Sequence, residues 1–63
     1  MTIEQRMMTQ RLSLGLTQKQ VSEATGISRA TLCRAEKGSL RLSGPNRDKA
    51  EAWLGQAERG EQG

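Results

Sequence analysis

Apolar and polar residues recur along the chain with the period of a helix, in short blocks punctuated by single glycines. Over residues 2–14, Ile3, Met7, Arg11 and Leu14 fall at spacings of four, four and three and share one face, with Gln5, Arg6 and Thr9 largely opposite. Gly15 ends this helix. Thr17 opens a second: Thr17 and Gln20 have the T-x-x-Q spacing of a capping box, in which each side chain satisfies the other's free backbone N–H. That helix runs to about Thr25, with Val21 and either Ala24 or Thr25 turned inward.

Gly26 then permits a left-handed conformation, and Ser28 follows two residues later as the cap of a third helix. The connection has no slack, so the second and third helices must cross steeply, pinned by Ile27; this is the spacing of a helix-turn-helix over about residues 17–38. The third helix is expected from Arg29 to Lys37, stopped by Gly38. At about 100° per residue, Arg29, Ala30, Cys33, Arg34 and Lys37 share one arc, and Thr31, Leu32, Ala35 and Glu36 take the other and face the protein. The outward arc is basic, with small residues between the arginines, so it fits close against another surface. After the loop GSLRLSG, Pro45 is well placed to start a fourth helix over about 45–57, whose apolar stripe is Ala50, Trp53, Leu54 and Ala57. The tail, 58–63, has nothing to bury and is expected to fray.

This pattern makes the chain all-α, a small four- to five-helix bundle, and its 63 residues leave room for one domain. With no His or Tyr and one Cys, it cannot assemble the usual acid–base, nucleophilic or metal-ligating constellations, so an enzyme is not expected, nor a metal or cofactor. The single aromatic, Trp53, and a mean hydropathy of −0.73 imply a small aliphatic core rather than a ligand cavity. Cys33 has no disulfide partner within the chain, no apolar run reaches a membrane span, and the N-terminus lacks a signal segment, which together point to a reducing cytoplasm. Residues 1–49 hold nine Lys or Arg against four acids, whereas residues 50–63 hold one against three. The basic part carries the motif, and its natural partner is a polyanion.

Residues 11–38, RLSLGLTQKQVSEATGISRATLCRAEKG, resemble the Cro and phage-repressor, or XRE-type, helix-turn-helix proteins, and LSGPNRDKAEAWL resembles more loosely the last helix of short members. The resemblance rests on the G-L-T-Q opening, the Gly eight residues after the Gln, the I-S before the third helix and the E-x-G close. It implies a lambda-repressor-like DNA-binding fold. It also implies that Gln18 contacts a phosphate, that Arg29, Ala30 and Arg34 face base edges in the major groove, and that Arg11 and Glu36 form a partly buried ion pair. Two positions depart from the family pattern: Ser22 stands where Ala is usual and Thr25 where an apolar residue is usual.

A guanidinium takes guanine through O6 and N7 together, so Arg29 and Arg34 are candidate base readers, with a phosphate contact as the other reading for each. Ala30 and Cys33 complete the base-facing set. Thr17, Gln18, Lys19, Ser28, Lys37, Ser39 and Arg41 are expected on the DNA backbone. One helix reads some four base pairs, so such domains act as two-fold dimers. Leu40, Leu42, Trp53 and Leu54 are the apolar residues available for that interface, although Trp53 also suits the core. The leading expectation is a repressor binding double-stranded DNA at a palindromic operator. The other class is an antitoxin-like adaptor, in which the motif serves autoregulation and another surface binds a protein.

Overall fold

Each of the first three helices begins on a side-chain hydroxyl. The structure is a computed structural model that describes residues 1–58. Among them are α1 (Ile3–Ser13), α2 (Gln18–Thr25), α3 (Arg29–Glu36) and α4 (Gly44–Glu58), and no strand. Thr17 Oγ1 accepts from the Gln20 N–H at 3.0 Å while Gln20 Oε1 accepts from the Thr17 N–H at 2.8 Å, the reciprocal pair its spacing predicts. Thr2 and Gln5 make the same box at the start of α1, at 3.2 and 3.0 Å. Ser28 Oγ accepts from the Thr31 N–H at 3.1 Å. A cap of this kind stabilises a helix by about 1 kcal/mol, a large share for so short an element.

The glycines close what the hydroxyls open. Past α1 the chain turns through Gly15 at φ +70°, and the Leu16 N–H reaches back to the Arg11 carbonyl at 3.0 Å. Past α3, Gly38 at φ +80° lets the Ser39 N–H reach the Arg34 carbonyl at 2.9 Å. Both are left-handed terminations that satisfy carbonyls the helix leaves unpaired. α4 begins at Gly44, one residue before Pro45.

Ile3 and Met7 of α1, Val21 of α2, Ile27 in the turn, Leu32 and Ala35 of α3, Leu42 in the loop, and Ala50, Trp53 and Leu54 of α4 form one buried cluster, with Leu16 and Leu40 packed against it. α1 lies against α3 and α4, and α2 bridges the same two helices. The α3–α4 loop is tied down from inside: the Leu42 N–H donates to the carboxylate of Glu4, a buried residue. Among the described residues no helix is long and apolar enough to cross a membrane.

Several expectations need correction. Leu14 is exposed, because α1 ends at Ser13 and the turn at Gly15 brings Leu16 to the core instead. Of the inward alternatives on α2, Ala24 is exposed and Thr25 is the half-buried one. The proposed dimer residues Leu42, Trp53 and Leu54 are 3%, 9% and 1% exposed, because all three pack into the chain's own core with Ile3 and Met7 of α1. Leu40 alone of that set keeps some surface. The expected fraying of 58–63 lies, beyond Glu58, outside the described residues.

Candidate nucleic-acid interface

The orientation of α3 is fixed from three directions. Leu32 and Ala35, 2% and 4% exposed, seat its inner side in the core. Its start is held by the turn: Thr25 Oγ1 donates to the Val21 carbonyl at 2.8 Å and accepts from the Ile27 N–H at 3.1 Å. That double use explains how a polar residue occupies a position where apolar ones are usual, because its hydroxyl is satisfied locally and Ile27 is drawn in to 1% exposure. Gly26, at φ +81°, makes the bend, and Lys49 Nζ donates to its carbonyl from α4 at 3.5 Å.

The end of α3 is held by charge. Arg11 Nε donates to Glu36 Oε2 at 2.7 Å and Arg11 Nη2 to Glu36 Oε1 at 2.8 Å, a two-pronged pair, while Arg11 Nη1 donates to the Leu16 carbonyl at 2.9 Å. The two side chains are 15% and 10% exposed. Burial pushes the Glu36 carboxyl up, but Arg11 and Gln18 more than offset it and leave it below the ordinary carboxylate range; the same pairing raises the Arg11 guanidinium further. Gln18 is drawn into this group, its Nε2 donating to Glu36 Oε1 at 3.0 Å. The amide expected to face outward is therefore held by Glu36 through one N–H, which leaves its second N–H and its carbonyl oxygen for any other partner.

With its inner side so committed, α3 turns Arg29, Ala30, Arg34 and Lys37 to solvent, and Cys33 is half-buried between them. Lys19, Ser39 and Arg41 are exposed on neighbouring segments. The hydroxyls of Thr17 and Ser28 both accept a capping N–H; Ser28 Oγ also donates to Thr31 Oγ1 at 2.7 Å, so its proton is committed, whereas the Thr17 O–H keeps its donor for a ligand. Arg47 pairs with Glu51 at 3.2 Å on α4. Beside α3, an open recess of about 470 Å³ is lined by Arg11, Leu16, Thr17, Gln18, Lys19 and Arg29. Among the described residues no group of acidic, Cys or His side chains is placed to hold a metal.

Sequence reasoning missed Glu4 and Lys49. A Glu in the first turn of a helix is ordinary, and nothing in its neighbours signals that a backbone N–H 38 residues away will meet it. Lys49 sits among charged residues on α4 and carries no local mark of its contact with the turn.

No curated protein and no solved structure matches the chain. The sequence model of the helix-turn-helix family matches residues 4–52, from the first turn of α1 into α4, and so covers both the clamped α2–α3 pair and the helices that clamp it. With the capped second helix, the glycine turn and the outward basic helix all inside that span, the chain belongs to the helix-turn-helix family of DNA-binding regulators, of the Cro and phage-repressor or XRE type.

Proposed function

We propose that the chain represses transcription by occupying a two-fold symmetric operator as a pair of copies, each laying α3 in one major groove. The observation that carries this reading is the sidedness of α3: Leu32, Ala35 and Glu36 are committed to the protein, while Ala30 and Arg34 stand exposed around Cys33 on a slim, basic face. A B-DNA major groove admits one helix, and a guanidinium there distinguishes guanine by about 1–3 kcal/mol. Lys37, Ser39 and Arg41, exposed beyond the C-terminal end of α3, hold the backbone and set register. Two copies follow from the few base pairs one helix spans, and their mutual contact uses surface other than the buried Leu42, Trp53 and Leu54.

Selection of bound duplexes from a random pool, followed by sedimentation of the chain on the winning sequence, tests this. The expected site is an inverted repeat with half-site centres roughly 34 Å apart, carrying two chains. A reporter whose promoter overlaps that site should fall on expression of the chain. Recovery of sequences with no common element, or one chain per site, overturns the operator reading, and a rise in the reporter overturns repression.

A further inference from the structure

The two exposed arginines of α3 stand in different surroundings. Arg29 is the first residue of the helix, and side chains in a helix tilt toward its N-terminus, so this guanidinium leans past the end of α3 rather than along its outer face. It lines the recess together with Thr17, the cap of α2, and with Gln18 and Lys19 of its first turn. Arg34 is not among the residues lining that recess, and its tilt carries it back over Ala30, on the slim side of the helix.

We propose that Arg29 grips a DNA backbone phosphate in this recess, together with Lys19 and the free N–H of Gln18, and that Arg34 is the guanidinium that reads a base edge. The assignment rests on the DNA-binding reading above and divides the labour within it. The charge of Arg11 in the same recess is already matched by Glu36, with its Nε, Nη1 and Nη2 all donating. Lys19 and Arg29 form no ion pair with any described residue, so the recess presents two unmatched cations. Gln18 Nε2 is pinned on Glu36 at 3.0 Å and has one N–H left to give. Two cations and an amide donor around one opening suit the two terminal oxygens of a phosphodiester, and the planar fork of a guanidinium matches that pair. The wall of the recess places it as well: when α3 enters a groove, the preceding helix crosses the backbone at the rim, so a side chain sharing a pocket with the start of α2 meets phosphate before it meets a base.

The selected duplex supplies the test. Arg29→Ala, Arg29→Lys, Arg34→Ala and Arg34→Lys are compared with the parent for affinity across a salt series, for base preference by repeated selection, and for sensitivity to single uncharged methylphosphonate linkages scanned along the site. Arg29→Ala should lower the slope of log affinity against log salt by about one unit and leave the selected sequence unchanged. Arg29→Lys should recover most of the lost affinity, since a phosphate accepts either cation. One methylphosphonate position should weaken the parent and Arg34→Ala but leave Arg29→Ala unaffected. Both Arg34 variants should relax preference at one base pair, because an ammonium cannot reproduce a two-pronged contact with guanine. If Arg29→Ala or Arg29→Lys alters a preferred base while its phosphate sensitivity matches the parent's, the Arg29 assignment fails and DNA binding stands. If the parent binds all duplexes alike while Arg29→Ala still lowers the slope, the phosphate grip stands and sequence-specific control fails.

Discussion

The carboxylate of Glu4, in the first turn of α1, accepts a hydrogen bond from the backbone N–H of Leu42 at 2.7 Å, joining α1 to the α3–α4 loop. Glu4 is 8% exposed, and the contact seats Leu42 in the core at 3%. Loss of the acceptor strands a buried donor, so Glu4→Ala should destabilise the fold by about 2 kcal/mol, whereas Glu4→Gln keeps an acceptor oxygen and should cost about 1 kcal/mol. Urea denaturation of the three proteins gives the order; equal losses for Ala and Gln would mean that the bond contributes nothing.

Acid should weaken the fold through the same group and through Glu36. Burial pushes the Glu4 carboxyl up, but the Leu42 N–H, its own N–H, Thr2 and Arg41 together bring it below the ordinary carboxylate range, and Glu36 is lowered as well. A carboxyl depressed in the folded state takes up its proton first in the unfolded chain. Its stabilisation is therefore complete above the unfolded value of about 4.3 and is lost as pH falls from there through the folded value. Urea midpoints should be level from neutral pH to about 5.5 and decline below about 4.3. Glu4→Gln should show a shallower decline than the parent; identical profiles would remove Glu4 from this account.

The Arg11–Glu36 pair should behave as a unit. Each side chain is mostly buried, so Arg11→Met or Glu36→Leu alone leaves an unmatched charge and should cost about 3 kcal/mol. The double variant should lie well above the sum of the two losses, within about 1 kcal/mol of the parent, because two apolar groups then meet. Additive losses in thermal or urea melts would show that the residues do not sense each other.

Gly26 sits at φ +81°, and a Cβ built there meets only the Lys49 side chain, at 3.8 Å, an ordinary contact. The cost of Gly26→Ala is thus backbone strain alone, about 1 kcal/mol, and Gly38→Ala, with φ +80° and open space, should cost the same. Gly26→Asn should be milder than Gly26→Ala. A loss several-fold larger at residue 26 than at residue 38 would mean that the turn is packed more tightly than its geometry indicates.

Leu54, at 1% exposure, serves the core of its own chain. Leu54→Ala should cost about 3 kcal/mol in a melt whose midpoint does not depend on protein concentration beyond that of the parent. Leu40→Ala, at a half-buried site, should cost less. A Leu54→Ala protein that folds as stably as the parent but loses its partner copy would restore this residue to an interface.

Local physics determined most of the fold in advance. The Thr17–Gln20 spacing, the lone glycine at 26 and Ser28 each act through contacts within a few residues, so their effect is written in adjacent letters, and the stripe Ala50, Trp53, Leu54 and Ala57 announces a helix before its partner is known. Helical geometry alone likewise separated Leu32 and Ala35 from Arg29, Ala30 and Arg34. What only the tertiary structure decided involves residues far apart in the chain. Whether Leu42, Trp53 and Leu54 meet a second copy or one another depends on how much space four short helices enclose, and they enclose enough to take all three. Glu4 finds the Leu42 N–H, and Gln18 turns to Glu36, through bonds spanning 38 and 18 residues, which no neighbouring side chain specifies. The two arginines of α3 look alike as letters; the first turn of α2, folded beside one of them, is what sets them apart.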